Sequence, residues 1–298
     1  MPDRGQPRIS TIFHPWLDSF PGEAYMPGMD ASETHIGFMK MHGLGNDFVV
    51  VDERGRAPVI DTSVARAMAD RHRGIGFDQL AVMRESTKAD LHLTFYNSDG
   101  SLSAACGNAT RCIARHLMNE TGRSDVVIAT DHGLLPARDA GRGLTSVNMG
   151  HARTGWQDIP LAEAMDTLEL PIEGGPTATS MGNPHCSFFV DDVAAVALAR
   201  RGGEIEHHPL FPERTNVQFV QLVGKDTLRM RVWERGAGIT LASGSSSCAA
   251  AHAAHRRGLV GERVEVVLDG GPISIHLAED GVWMTGPTAH VFDGVWRG

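Results

Sequence analysis

Residues 95–108 read FYNSDGSLSAACGN, and residues 232–245 read VWERGAGITLASGS. Each stretch has the pattern of a strand, a turn, and a small nucleophile-type residue followed by glycine at the start of a helix. The two stretches are 137 residues apart, so Cys106 in the first corresponds to Ser243 in the second. We interpret them as two copies of one structural unit.

The same offset of 137 residues relates two further pairs of stretches. They are Gly45-Asn46-Asp47-Phe48 with Gly182-Asn183-Pro184-His185, and Asp78-Gln79-Leu80 with Thr215-Asn216-Val217. Three matches at one offset predict two homologous α/β domains of similar size, related by a pseudo-two-fold axis. The alternative is chance similarity between strand-turn-helix units, because such patterns are loose.

Local patterns predict the elements between these stretches. Helices are expected at about 63–72, 107–122, 192–201 and 244–257. Alternating apolar residues predict strands at 38–42, 48–51, 91–95, 186–190 and 228–232, with others in both halves. Residues 1–36 contain five prolines and no sustained period, so we predict a loosely ordered N-terminal extension there.

The composition limits the class of function. The 298 residues are 42% apolar and 21% charged, which is typical of a soluble globular protein long enough for two domains. The net charge of −9 argues against nucleic-acid or membrane partners, and no apolar run approaches the ~20 residues of a membrane span. Four cysteines do not make a disulfide scaffold in so long a chain, so we expect thiols in a reducing, cytoplasmic compartment.

Cys106 and Ser243 each precede a predicted helix, where free N–H groups and the helix dipole favour negative charge. We therefore expect the pKa of the Cys106 thiol to lie below its reference value of about 8.5. A substrate carboxylate is expected to bind the backbone amides at the two helix starts, namely those of Gly107, Asn108, Gly244 and Ser245.

This arrangement points to chemistry at an α-carbon. Inversion requires one group that removes the α-proton and a second group that protonates the opposite face, while amides stabilise the enolate-like charge on the carboxylate. The remaining paired polar residues suit a small zwitterionic substrate. They are Asn46 with Asn183, Gln79 with Asn216, and Asn97 with Glu234.

The other cysteines and two histidines have simpler interpretations. Cys112, Cys186 and Cys248 are interpreted as small buried hydrophobic residues. His252 and His255 lie three residues apart on a predicted helix and could bind a metal, but they lack a matched carboxylate or cysteine partner. We therefore predict no metal site.

Six motifs resemble those of the diaminopimelate epimerase family, cofactor-independent enzymes that interconvert LL- and meso-diaminopimelate for lysine and cell-wall synthesis. They follow the family order from about residue 38 onward: MHGLGNDFVVVD (41–52), RHRGIGFDQL (71–80), YNSDGS with CGNATRC (96–112), MGNPH (181–185), TNVQFV (215–220) and WERGAGITLASGSSSCA (233–249). The resemblance implies an α/β (α+β) fold of two pseudo-symmetric domains, each a curved, mostly antiparallel sheet around a central helix. It also implies domains of 37–150 plus 286–298 and of 151–285, no cofactor, and a homodimer that binds diaminopimelate in its cleft.

The resemblance assigns roles to individual residues as well. Cys106 and the position of Ser243 are implied to be catalytic, and His185 and Glu234 are implied to support them. The implied substrate-binding set is Asn46, Gln79, Asn97, Gly107, Asn108, Asn183, Asn216, Glu234, Arg235, Gly244 and Ser245.

Position 243 departs from the family, which has its second catalytic cysteine there, and Ser245-Ser246-Ser247 lacks the usual glycine in its middle. A serine hydroxyl is a far weaker acid than a thiol, and losing one acid/base group typically costs about 10²–10⁴-fold in rate. Our hypothesis is that Cys106 exchanges the α-proton on one face while net epimerisation is slow. The alternatives are an epimerase, racemase or dehydratase of the same superfamily acting on another amino acid, and a non-catalytic amino-acid-binding paralogue.

Overall fold

The computed structural model describes residues 35–103, 106–131 and 133–298. Residues 1–34 of the predicted N-terminal extension lie outside this range. The last two residues of that extension instead begin the first strand, where Ile36 is 3% exposed and pairs with Trp296. The first strand therefore starts at His35, three residues before its predicted start at Phe38.

The described first half of the chain contains eight strands and two helices. The strands are β1 (His35–Gly43), β2 (Asn46–Asp52), β3 (Gln79–Arg84), β4 (Leu91–Asn97), β5 (Leu102–Ser103), β6 (Asp125–Thr130), β7 (Gly133–Gly141) and β8 (Leu144–Asn148). The helices are α1 (Thr62–Ala69) and α2 (Gly107–Thr121). Asp61 caps α1 by accepting hydrogen bonds from the backbone amides of Ser63 and Val64. Gly122 ends α2 in the left-handed conformation, with φ at 69°.

The second half repeats this pattern. Its strands are β9 (Thr177–Ser180), β10 (Pro184–Phe189), β11 (Asn216–Gly224), β12 (Thr227–Glu234), β13 (Gly238–Thr240), β14 (Arg263–Leu268), β15 (Gly271–Ala278), β16 (Gly281–Pro287) and β17 (Ala289–Arg297). Its helices are α3 (Leu198–Glu206) and α4 (Gly244–Arg256). The prediction that α3 begins at Asp192 is wrong, because this side chain accepts a hydrogen bond from the Ala194 amide and holds a local turn. None of the helices in the described part of the chain is long and apolar enough to cross a membrane.

The two halves pair their strands in the same order. In each half an antiparallel pair (β1–β2, β9–β10) is followed by a parallel pair (β2–β3, β10–β11) and a second antiparallel pair (β3–β4, β11–β12). A parallel pair (β4–β6, β12–β14) and two antiparallel pairs complete each sheet. Registers also agree at the 137-residue offset: Phe48 with Gln79 and His185 with Asn216, then Leu80 with Tyr96 and Val217 with Trp233. The predicted α+β fold with two pseudo-symmetric, mostly antiparallel units is confirmed.

Two strand pairs join the halves. Strand β8 pairs antiparallel with β16, and β17 returns from the end of the chain to pair antiparallel with β1. Strand β17 covers most of residues 286–298, the segment predicted to belong to the first domain, and it pairs with a strand of the first half. The domain boundaries themselves stay a prediction.

A central helix fills each half. The buried face of α2 includes Cys112, Ile113 and Leu117, whereas α4 buries a run of alanines, among them Ala250 and Ala251, each 0% exposed. Small side chains let the surrounding strands approach α4 closely on several sides. Residues of α2 and α4 belong to one hydrophobic core, to which strands of both halves also contribute.

We expect Ala251→Leu to lower the free energy of unfolding by about 1–3 kcal/mol, because extra methylene groups have no space in a packed core. Urea unfolding measures this change. The matched control is Ala67→Leu on the exposed face of α1, which should stay within about 0.5 kcal/mol of the parent protein. Equal stabilities of the two variants would contradict close packing around α4.

Candidate active site

One cavity of about 230 Å³ collects residues from both halves. Its walls contain nearly the whole predicted site: Asn46, Gln79, Asn97, Cys106, Gly107, Asn108, Asn183, Asn216, Glu234, Arg235, Ser243, Gly244 and Ser245. Sequence reasoning did not single out five further lining residues, which are Asp78, Leu102, Ser103, Ala237 and Thr240. His185 is fully buried and lies behind the wall instead of lining it.

The N-termini of α2 and α4 meet at this cavity. A Cβ atom on Gly244 would lie 3.5 Å from the Asn108 amide nitrogen and 2.7 Å from Met284 Sδ. A Cβ atom on Gly107 would lie 2.9 Å from Met149 Cε. The starts of the two helices therefore lie close together at the cavity, and a side chain at either first position would crowd Met149 or Met284. Helix starts carry N–H groups without partners in the helix, so this part of the cavity suits an anion.

Cys106 caps α2, but the environment of its thiol differs from the expectation. Its Sγ atom accepts a hydrogen bond of 3.4 Å from the Ala109 amide, and the residue is 7% exposed. Burial raises the pKa of the Cys106 thiol, and the nearby charge of Glu234 adds to the increase. The predicted lowering of this pKa is therefore wrong, because loss of hydration outweighs the helix-terminal amides, and the thiol of the free protein is protonated at neutral pH.

Ser243 occupies the matching position before α4, but its side chain bonds elsewhere. Ser243 Oγ donates a hydrogen bond of 2.7 Å to Glu234 Oε2 and lies 2.9 Å from Ser246 Oγ. Thr240 Oγ1 donates to the other Glu234 oxygen at 2.6 Å. Burial raises the pKa of Glu234, while the two hydroxyl donors favour its anionic form. Position 243 is therefore directly linked to a buried carboxyl group.

A polar network continues from Ser246 into the core. Gln218 Nε2 lies 3.0 Å from both Ser246 Oγ and His185 Nδ1. His185 Nε2 lies 2.9 Å from Asn183 Oδ1, an acceptor, so this nitrogen carries the proton and Nδ1 accepts from Gln218. Burial lowers the pKa of His185 to about 3, and the nearby charge of Arg235 acts in the same direction. His185 is therefore neutral at physiological pH and orients Asn183 at the cavity wall.

Several predicted binding residues are held by bonds within the protein. Asn216 donates to the Pro184 carbonyl at 2.9 Å and accepts from the Arg235 amide at 3.0 Å. In the other half, Gln79 Nε2 donates to Ser103 Oγ at 2.8 Å and lies 3.3 Å from Asn97 Oδ1. These bonds fix the orientation of the amides that line the cavity.

Asp78 is a cavity carboxylate that the motif analysis did not single out. Its Oδ2 accepts from Asn46 Nδ2 at 2.8 Å, and its Oδ1 accepts from Arg71 Nη2 at 2.9 Å. Asp78 directly precedes Gln79, the first residue of β3, and this position beside a predicted binding residue could have identified it from the sequence. Asp78 both orients Asn46 and gives the first half of the cavity a negative charge.

A family profile described as diaminopimelate epimerase matches residues 38–155 and 177–291. The chain is 49% identical over 262 residues to diaminopimelate epimerase of Acidiphilium cryptum, covering 86% of this chain and 95% of the relative. It is 51% identical over 264 residues to the corresponding protein of Rhodospirillum centenum, covering 86% and 91% of the two chains.

Solved structures agree on the fold at low sequence identity. A phenazine biosynthesis protein of the PhzF family from Bacillus anthracis superposes with a TM-score of 0.64 at 13% identity, covering 88% of this chain and 99% of the other. A hydroxyproline epimerase from Agrobacterium vitis gives a TM-score of 0.64 at 16% identity, covering 88% and 92%. At these identities the likeness shows a shared fold.

The neutral state of His185 makes stability depend on pH. An unfolded histidine has a pKa of about 6.5, so below this pH the unfolded chain binds a proton that the native protein, with a pKa of about 3, does not. Native stability is therefore lost as pH falls through this window, by about 1.4 kcal/mol per pH unit.

Between pH 7 and pH 5 we expect the free energy of unfolding of His185→Asn, measured in urea, to fall by about 2 kcal/mol less than that of the parent protein. The control His72→Asn, at an exposed histidine, should keep the parent pH dependence, and equal losses in all three proteins would contradict this assignment.

Proposed function

The chain belongs to the diaminopimelate epimerase family, and from this premise we propose that it exchanges the α-proton of diaminopimelate in the cavity between its two helix N-termini. The observation that carries the proposal is the placement of Cys106 and Ser243 as matching N-caps on one cavity lined by side-chain amides. Two groups on the wall of one cavity can address opposite faces of a bound α-carbon.

The helix starts bind the carboxylate of the reacting centre in this proposal. The backbone amides of Gly107, Asn108, Gly244 and Ser245, residues that line the cavity at the two helix starts, then stabilise the enolate-like charge that develops when the α-proton leaves. Seven other lining residues bind the rest of the substrate in this proposal. They are Asn46, Gln79, Asn97, Asn183, Asn216, Glu234 and Arg235.

Cys106 transfers the proton on one face. Because burial raises its pKa, the resting thiol is protonated, and exchange begins from the small thiolate fraction, which is a strong base and removes the α-proton from this face. The thiol formed in this way exchanges its proton with solvent and then returns a solvent proton to the same face of the α-carbon. Both steps need the α-carbon to lie against Cys106, which lines the cavity.

Ser243 serves the other face with a weaker group. Its hydroxyl has no anionic form comparable to a thiolate near pH 7, although its Oγ atom donates a hydrogen bond of 2.7 Å to the Glu234 carboxyl. We propose that proton exchange at Cys106 is fast and that net inversion, which needs both faces, is slow. We expect net inversion to be slower than exchange by about 10²–10⁴-fold, which is the typical effect of losing one acid/base group.

Ser243→Cys should raise the epimerisation rate by about 10²–10⁴-fold, because it supplies the second thiol at an unchanged backbone position. The assay follows interconversion of the LL and meso stereoisomers by chiral chromatography. Ser247→Cys is the matched control on the same helix turn, since Ser247 bonds the Ser243 carbonyl and lies outside the cavity walls, and it should give no gain. An unchanged rate in Ser243→Cys would point to chemistry other than inversion.

Incubation of the parent protein in D₂O separates exchange from inversion. We expect deuterium to enter one stereoisomer faster than the stereoisomers interconvert, and Cys106→Ser to abolish this incorporation because it removes the remaining thiol. Mass spectrometry of the recovered amino acid measures both. Rapid inversion of both stereoisomers by the parent protein would contradict a slow Ser243 face, and ligand binding without any exchange would indicate a binding protein.

We further infer a cytoplasmic homodimer. All four cysteines are free and buried, as expected in a reducing compartment. Among the described residues, β17 pairs only with β1 and exposes Val291, Phe292 and Val295 by 53%, 47% and 47%. Apolar side chains on an edge strand favour burial against a second copy.

Sedimentation should give a dimer for the parent protein and a monomer for Val295→Glu, because the new charge would be buried at the interface. A monomeric parent protein would contradict this inference.

A further inference from the structure

Arg111 is a buried guanidinium next to the carboxylate-binding helix start. It lies on α2, five residues after Cys106, and is 0% exposed. Its Nη1 donates to Asn108 Oδ1 at 2.9 Å, and its Nε donates to the Pro287 carbonyl at 3.2 Å. The guanidinium therefore sits directly behind Asn108, whose backbone amide belongs to the proposed carboxylate site.

No anion compensates this charge within the described residues. None of their carboxylates forms an ion pair with Arg111, and its Nη2 has no hydrogen-bond partner among them. Burial lowers the pKa of Arg111, and the titratable groups that act in the opposite direction are the thiols of Cys112, Cys106 and Cys248. A lone buried cation is costly, so it calls for a compensating interaction that the described residues do not supply.

The backbone is shaped to hold this cation. A Cβ atom on Gly43 would lie 2.7 Å from Arg111 Nη2, and one on Gly286 would lie 3.4 Å from Arg111 Cζ. Both glycines belong to strands, β1 and β16, where glycine is otherwise unfavourable. Two strands therefore omit side chains where the guanidinium passes between them.

A chain of contacts connects Arg111 to the cavity. Asn108 accepts from Arg111 through Oδ1 and donates through Nδ2 to Asn46 Oδ1 at 3.2 Å. Asn46 and Asn108 both line the cavity, and the start of α4 at Gly244 lies against the Asn108 amide. The cation is thus separated from the proposed carboxylate site by a single side chain.

We propose that Arg111 is a positioning residue whose uncompensated charge is balanced by the substrate carboxylate, acting through Asn108. This inference rests on the proposed function. Its charge favours binding of the carboxylate and, to a greater degree, the enolate-like state in which that group gains further negative charge. It also polarises the Asn108 amide, because Asn108 Oδ1 is fixed by a charged donor.

Three substitutions separate charge from packing and from the bond to Asn108. Arg111→Met removes the charge and keeps an unbranched apolar chain, Arg111→Gln keeps an amide donor without the charge, and Arg111→Lys keeps the charge without the planar fork. We expect Arg111→Met and Arg111→Gln to weaken diaminopimelate binding by about 10- to 100-fold and to slow α-proton exchange by a larger factor. Arg111→Lys should retain most of the binding and most of the exchange rate. Calorimetry measures binding, and deuterium incorporation measures exchange.

Arg115 provides the matched control on the same helix. It lies one turn beyond Arg111 and forms an ion pair of 2.8 Å with Asp139 away from the cavity. Arg115→Met should leave binding and exchange at parent values. Thermal unfolding should show that Arg111→Met is no less stable than Arg115→Met, since removing an uncompensated buried charge relieves a cost. A residue needed only for packing would show the reverse, with lost stability and unchanged binding.

A measurement without substrate tests the electrostatic role of Arg111 separately from the proposed function. Iodoacetamide alkylation of Cys106, quantified by mass spectrometry of its peptide, should slow at neutral pH in Arg111→Met but not in Arg111→Lys, because the cation favours the thiolate. If the parent protein and Ser243→Cys neither bind nor exchange diaminopimelate while this difference persists, the proposed function fails and the electrostatic role of Arg111 stands. Parent-like binding, exchange and alkylation in both Arg111→Met and Arg111→Gln would overturn the inference.

Discussion

The close approach of two helix N-termini is the constraint on which the rest of the site depends. The first position of each helix is glycine, and a Cβ atom on Gly244 would lie 3.5 Å from the Asn108 amide nitrogen. The first N–H groups of a helix have no partner within it, and the first two residues of both helices line one small cavity. An anion can satisfy such groups together, which supports the carboxylate site that we propose there.

Side chains then make the two ends of this symmetric backbone unequal. Four positions related by the 137-residue offset are apolar in the first half and polar in the second: Phe48 and His185, Val50 and Ser187, Ala81 and Gln218, Ala109 and Ser246. Cys106 belongs to the same hydrophobic core as the four apolar residues of the first half, and burial raises the pKa of its thiol, whereas the Ser243 side chain is held by hydrogen bonds. The two proposed proton-transfer positions thus differ in environment as well as in residue type.

Sequence reasoning located the cavity walls because the internal repeat places equivalent residues at equivalent strand ends. It could not anticipate the raised pKa of Cys106, since burial depends on how both sheets close around the helix start. Gln218 and Ser246 were missed for a related reason: each reaches His185 only through strand register and helix phase. Arg111 lay within a quoted motif, but the lack of a compensating carboxylate among the described residues is visible only in three dimensions.

Ser243 satisfies its surroundings in a way that a thiol would not. Its hydroxyl is both a strong donor to Glu234 and an acceptor within reach of Ser246, whereas a thiol is weak in both roles. With serine present, the buried Glu234 carboxyl keeps two hydroxyl donors, and burial raises its pKa. Ser243 and Glu234 therefore form a hydrogen-bonded pair at the cavity wall. A serine oxygen is a poor base, so the asymmetry that we propose between the two faces follows from the side chains at positions 106 and 243.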